Sequence, residues 1–150
     1  MARRIPSHVK GERVRMALLD AQPDGLSAKR LSDVTGLSPS QVRAGLAEIR
    51  EEAALANSEP LIWSRARGYQ ISVDPDLIRV YTGSVTGTSH KRVVRLMKGT
   101  VLPFAQVVPG GPWVDLAMAQ LNAAAASLQM ASDVTADDFR QRSRTAGVAR

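Results

Sequence analysis

The sixteen residues from Leu31 to Leu46 constrain this 150-residue chain more than any other stretch. Ser27 is a good N-cap for a short helix over Ala28 to Thr35. Gly36 follows, able to take the positive φ that closes a helix. Ser38 opens a second helix with Pro39 at its first position, where the missing N–H would be unpaired anyway. Ser38 and Gln41 stand at capping-box spacing, hydroxyl to one backbone N–H and side-chain amide back to the other. Val42, Leu46, Ile49 and Ala53 recur at helical spacing, which predicts one buried stripe. Leu31 and Val34 are expected to face the core. Leu37, Val42 and Leu46 are expected to pin this pair against an earlier helix, and Ser32 to be small where helices approach closely. The earlier helix is expected over Lys10 to Asp20, with Val14, Met16, Ala17 and Leu18 as its apolar positions. Pro23 and Gly25 end it.

After Asn57 to Pro60 the period changes from helix to strand. Leu61 to Ser64 and Tyr69 to Val73 read as two strands of a hairpin with Arg65, Ala66, Arg67 and Gly68 at its tip. Gly68 suits a positive-φ turn position. Short helix, glycine turn, capped longer helix and hairpin together resemble the winged helix-turn-helix superfamily of bacterial and phage transcriptional regulators. The run Arg67-Gly68-Tyr69 resembles the turn into the second strand of the wing. The resemblance covers residues 9–73 and stops at Val73. It implies a mainly α fold with a small β-hairpin, a winged helix-turn-helix domain followed by C-terminal dimerisation helices. It also implies double-stranded DNA as partner.

On the helix opened by Ser38, the side opposite the apolar stripe carries Ser40, Ala44, Ala47 and Glu51. Gln41 and Glu48 flank it on one side, Arg43 and Arg50 on the other. Small residues would let the backbone enter a major groove. Ser38, Ser40, Gln41 and Arg43 lie near its N-terminal end; Ser40, Gln41 and Arg43 have groups suited to base edges, with Arg43 on guanine the best single candidate. Ala44 and Ala47 fit thymine methyls. Glu48, Glu51 and Glu52 confine such an interface to about the first three turns, at 3.6 residues each. Lys29 and Arg30, opening the short helix, would contact backbone phosphates, which position without reading sequence. By the resemblance, Arg65 and Arg67 would reach phosphates or the minor groove, where guanidinium is favoured. Arg3, Arg4 and Lys10 offer either a further contact or a plain terminus.

Composition agrees with this direction and closes others. Twenty basic against fourteen acidic residues give a formal charge of +6, which favours polyanions. Sixteen of the twenty are arginine, and with abundant alanine that also fits a GC-rich bacterium or its phage. Aromatics make up 4%, so aliphatic residues and alanine must fill the core, which favours helices. No cysteine is present, which removes disulfides, thiol nucleophiles and cysteine-ligated metals. His8 and His90 are the only histidines. Gly83-x-x-x-Gly87 and Pro109-Gly-Gly-Pro112 lack the context of a phosphate loop. No enzyme activity, cofactor or metal is expected. No apolar run approaches a bilayer span, so a cytoplasmic protein without a membrane partner is expected. Any small-molecule effector is left open.

Four segments follow: a basic arm (1–8), the winged domain (9–73), a helical dimerisation or extension region (74–131) and a flexible basic tail (132–150). Asp76 can start a helix through Leu77, Ile78, Val80 and Tyr81, and Gly83 and Gly87 leave its continuity to Leu102 open. From Leu77 to Val114 there are five basic residues and no acidic one, either a phosphate-contacting surface or a wet helix face. A further helix is expected from Trp113 to Met130, with Leu116, Ala117, Leu121, Ala124, Leu128 and Met130 on or near its apolar face. Such appended helices need a surface to bury against, and a second copy of the chain is the natural partner. The layout is similar to that of MarR-type and PadR-type regulators. The expected function is a dimeric, sequence-specific regulator, a repressor. Two other readings are an accessory factor for recombination or replication, and a protein-interaction module.

Overall fold

The computed structural model describes residues 5–148, with side chains for residues 5–135. The chain divides into two compact units, with the boundary between Ile78 and Arg79.

The first unit opens with helix α1, Ser7–Asp20. It starts before the expected Lys10 because Pro6 takes an extended conformation and its carbonyl accepts from the Lys10 N–H at 3.2 Å. The end of the expected arm is therefore helix; Arg3 and Arg4 lie outside the described residues. Helix α2 spans Ala28–Thr35, capped by the Ser27 hydroxyl and closed by Gly36 at φ +66°. Helix α3 spans Pro39–Glu48 with both arms of the Ser38–Gln41 capping box formed. It continues as a π-helical turn, Ile49–Ala53, and a short helix α4, Ala54–Asn57.

Strands β1, Leu61–Ser64, and β2, Gly68–Ile71, form the antiparallel hairpin, with Leu61 opposite Ile71 and Ser64 opposite Gly68. β2 is shorter than expected at its far end. Ser72 still donates to the Pro60 carbonyl, but Pro60 has no N–H to return. A third piece of this sheet was not expected from sequence: Leu26, between α1 and α2, exchanges two backbone hydrogen bonds with Tyr69 at 2.8 and 2.9 Å.

Val14, Leu18, Leu31, Leu37, Val42, Leu46, Ile49 and Ile71 make the core, drawn from α1, α2, α3, the turns and β2. Burying side chains of this size contributes roughly 1.5–3 kcal/mol each. The expected stripe on α3 holds through Ile49; beyond it the π turn rotates the helix, leaving Ala53 half-buried and Leu55 exposed. Two expected core residues are not in the core. Met16 and Val34 are 45% and 53% exposed, because α1 and α2 diverge and leave a groove of about 630 Å³ between them. α1 and α3, by contrast, touch at backbone level. A Cβ on Gly45 would lie 2.8 Å from the Lys10 carbonyl oxygen, and one on Gly11 2.7 Å from Cγ of Glu48. Glu48 is thus half-buried against α1 and does not flank the outer face of α3.

The second unit is helical. α5, Pro75–Leu96, runs into a π-helical turn, Met97–Val101, and then α6, Leu102–Val107, without a break. Gly83 and Gly87 do not interrupt α5. Gly83 lets it approach the last helix, since a Cβ there would fall 2.6 Å from Oγ1 of Thr135; at Gly87 a Cβ would make ordinary contact with Oγ of Ser132, at 3.4 Å. The π turn directly precedes Pro103, whose missing N–H interrupts the α ladder. Gly110 at φ +87° reverses the chain, and α7 spans Pro112–Val148. α7 therefore covers most of the segment expected as a tail; the side chains of Arg140, Arg142 and Arg144 lie outside the described residues. Met97, Val101 and Val114 are buried here, and Phe104 meets Trp113 at a ring-centre distance of 5.4 Å. No helix among the described residues is long and apolar enough to cross a membrane.

Candidate nucleic-acid interface

The turn between α2 and α3 is held by short-range polar contacts. The Ser32 hydroxyl donates to the Leu37 carbonyl across the turn, and the Leu37 N–H donates to Oγ1 of Thr35 at 3.3 Å. Ser32 therefore fixes the angle between the helices as well as being small. The Ser38 N–H donates to Oε1 of Gln41 at 2.9 Å, and the Gln41 N–H returns to the Ser38 hydroxyl at 3.3 Å. This cap uses the carbonyl oxygen of the Gln41 amide and does not engage its NH₂ donors. Ser40 is exposed, its hydroxyl 3.0 Å from that of Ser38.

Arg43 is exposed, with Ala44 and Ala47 half-buried beside it on the outer side of α3. Lys29 and Arg30 are exposed at the start of α2. The N-terminal half of α3 thus presents hydroxyl, amide, guanidinium and methyl groups with no carboxylate among them. Glu51 and Glu52 are exposed on the π turn, two turns further along.

Arg65 and Arg67 are exposed in the three-residue connection of the hairpin. The Arg67 N–H donates to the Ser64 hydroxyl at 3.1 Å, and Gly68 follows at φ +75°. A three-residue loop closed by a positive-φ glycine is a standard hairpin geometry. Gly68 has a second reason to be glycine: a Cβ there would lie 2.5 Å from the Leu26 carbonyl oxygen. Gly25 is held in the same way: a Cβ there would lie 2.3 Å from the Arg67 carbonyl oxygen. The two glycines let the segment before α2 lie flat against the base of the hairpin tip. Two amides tie that segment further: Gln22 donates to the Ile71 carbonyl at 2.9 Å, and buried Gln70 to the Pro23 carbonyl at 3.3 Å.

Arg50 differs from the other candidates. It is exposed, but its guanidinium lies over the Tyr69 ring and links the end of α3 to β2. Trp63, opposite Tyr69 on β1, is 46% exposed on the same side of the hairpin. Trp63 was not singled out from the sequence. The only signal was its place one register step from the tip, on the side that alternation assigns to the core.

On α1, away from these residues, Arg15 donates to both carboxylate oxygens of Glu59 at 2.8 Å and to Glu12 at 2.9 Å. The hydrogen bond from Arg15 holds the Glu12 carboxyl below its ordinary range, and the two carboxylates push the guanidinium further up. This pair ties the residue preceding the hairpin to α1. Among the described residues, no three His, Asp or Glu side chains gather as a metal-ligand set.

Compared with known proteins, the chain matches no family model, no curated protein and no solved structure.

Proposed function

We propose that this chain is a winged helix-turn-helix protein that binds double-stranded DNA with sequence preference, and works as a cytoplasmic, dimeric transcriptional repressor. One observation carries the reading. The carboxylate-free outer face of α3, with Ser40, Gln41, Arg43, Ala44 and Ala47, stands in one compact unit with a hairpin tipped by Arg65 and Arg67. The order of elements supports it: helix, a one-residue bridge at Leu26, two helices about a glycine turn, then the hairpin whose second strand pairs with Leu26. In this reading α3 enters the major groove and Arg43 reads a guanine edge. Lys29 and Arg30 fix register on the backbone, and the hairpin arginines reach the adjacent phosphates or minor groove. The C-terminal helices pair two copies, so two α3 helices meet a two-fold related site about one DNA turn apart. Repression follows by covering a promoter.

The test is a mobility-shift screen of genomic fragments followed by footprinting. The proposal expects a discrete protected site overlapping a promoter. Arg43→Ala is expected to weaken discrimination at one base pair by about 1–3 kcal/mol. A footprint confined to an attachment site or replication origin would replace repression with an accessory role.

A further inference from the structure

α5 and the π turn that continues it carry two stripes, both spaced alternately by four and three residues, and the two differ in chemistry. Gly83, Gly87, His90, Val94, Met97 and Val101 are half-buried or buried. This is the side that meets α7, whose Thr135 and Ser132 lie beside Gly83 and Gly87. One residue further on, about 100° round the helix, Ser84, Thr88, Lys91, Arg95 and Lys98 are all exposed, with exposed Arg92 at their edge. Each of these six side chains ends in a hydrogen-bond donor, and four of them are cations. Lys91 to Lys98 covers about 10 Å of helix axis at 1.5 Å per residue.

We infer that this outer stripe is a second duplex-binding surface, one that holds the phosphate backbone of double-stranded DNA without reading its sequence. The inference goes beyond the reading above, which places every duplex contact in the first unit, and it stands or falls separately. Three observations select the occupant. First, the charge is uncompensated. From Leu77 to Val114 there is no Asp or Glu. α7 runs past α5 in the opposite direction, Thr135 beside Gly83 and Ser132 beside Gly87, so the turns beside Lys91 to Lys98 come before Ser132. From Leu116 to Ser132 α7 has no charged residue at all. None of the four cations forms an ion pair or side-chain hydrogen bond with a described residue. Lys91 with Arg95, and Arg95 with Lys98, are like-charge pairs four and three residues apart, which weaken a helix standing alone; phosphates beside them turn that repulsion into attraction. Second, the stripe suits a regular array of anions. A duplex carries one charge per about 1.7 Å of axis, and Lys, Arg, Ser and Thr are the side chains that contact phosphate oxygens. Third, other polyanions fit less well. Single strands are held by aromatic stacking platforms, and no Phe, Trp or Tyr lies between Tyr81 and Phe104. An in-plane membrane helix needs its apolar face free, whereas here Met97 and Val101 are buried within the unit.

The chain has four lysines, Lys10, Lys29, Lys91 and Lys98, so amine acetylation reads both surfaces in one experiment. The full chain is acetylated alone and in the presence of a random-sequence DNA duplex, one of its single strands, or vesicles containing phosphatidylserine, all at equal anionic charge. Mass spectrometry gives the rate at each lysine. The duplex is expected to slow Lys91 and Lys98 several-fold, and to do so more than the single strand or the vesicles. Unchanged rates at both lysines would overturn the inference, as would protection by single strand or vesicles that matches the duplex. Lys29 reports the first unit. Slowing at Lys29 alone leaves the proposed function standing and removes the second surface; slowing at Lys91 and Lys98 alone does the reverse. A chain carrying Lys91→Gln, Arg92→Gln, Arg95→Gln and Lys98→Gln, all at exposed helical positions, is expected to keep its helical circular dichroism. Its log–log salt slope for the random duplex is expected to be smaller by up to about 3–4, near 0.9 for each phosphate. Its preference for a footprinted site over the random duplex is expected to be unchanged, because no base contact is touched. An unchanged slope would overturn the inference.

Discussion

The guanidinium of Arg50 stands 5.6 Å from the centre of the Tyr69 ring, joining the end of the α3 rod to the second strand of the hairpin. The contact lies between the two elements proposed to grip DNA, so it sets their spacing as well as adding stability. Arg50→Ala is expected to lower the unfolding free energy by about 0.5–1 kcal/mol, the size of an exposed cation–π contact. Arg50→Lys should retain part of it. Urea melts of the three proteins measure both.

Helix crossing by glycine gives a sharper contrast. At Gly45 an added methyl meets backbone of α1, which cannot step aside. Gly45→Ala is expected to destabilise by about 1–3 kcal/mol through overpacking, in spite of alanine's better helix propensity. Gly99, in the π turn of the second unit, has open space where its Cβ would be and no positive φ. Gly99→Ala is expected to stabilise by about 0.5–1 kcal/mol. Thermal melts that move the two variants in the same direction would contradict the packing described at Gly45.

Local chemistry was legible in the sequence and tertiary approach was not. Ser27, Gly36, Ser38, Pro39 and Gln41 act within four residues of themselves, so their caps and turns follow from residue type alone. Gly68 was legible for its φ, but not for its contact with Leu26, which lies more than forty residues away in the chain. The bridge at Leu26 carries no pattern of its own; it exists because Tyr69 offers a free edge. Val34 and Met16 have the spacing of core residues and line a groove, because periodicity reports which side of a helix is apolar and not how far the next helix stands off. In the second unit Gly83 and Gly87 left the continuity of the helix open, whereas α5 runs through both and Gly83 serves a close approach to α7. For the candidate interface, the outer residues of α3 follow from the geometry of one helix. The engagement of Arg50 with Tyr69 needed the fold.

The Arg15 pair makes a pH prediction with a definite sign. The Arg15 hydrogen bond lowers the Glu12 carboxyl in the folded chain relative to the unfolded one. Its contribution to stability is present above the ordinary glutamate range, about pH 4.3, and disappears as pH falls through the lowered folded value. Glu12→Gln should therefore show a shallower loss of stability on acidification than the unmodified chain, seen in denaturant melts from pH 6 to about pH 3. Arg15→Ala, which strips the half-buried Glu59 of its partner as well, is expected to cost about 1–3 kcal/mol near neutral pH.

At the hairpin, Gly68→Ala combines a disfavoured φ with a Cβ 2.5 Å from the Leu26 carbonyl oxygen. It is expected to release the Leu26–Tyr69 pairing, read as faster amide exchange at both residues. Exchange unchanged at Leu26 would contradict the role given to this glycine.

The most direct test of the DNA-binding account is the salt dependence of affinity for a duplex carrying the footprinted site. Fluorescence anisotropy would compare the full chain with a triple variant, Arg43→Ala, Arg65→Ala and Arg67→Ala. The account predicts that log affinity falls linearly with log salt. It also predicts that the triple variant binds more weakly, with a slope smaller by up to about 2, near 0.9 for each of Arg65 and Arg67 that neutralises a phosphate, while the loss of Arg43 from its base edge shows in affinity and discrimination. Equal affinity and equal slope for the two proteins would contradict it.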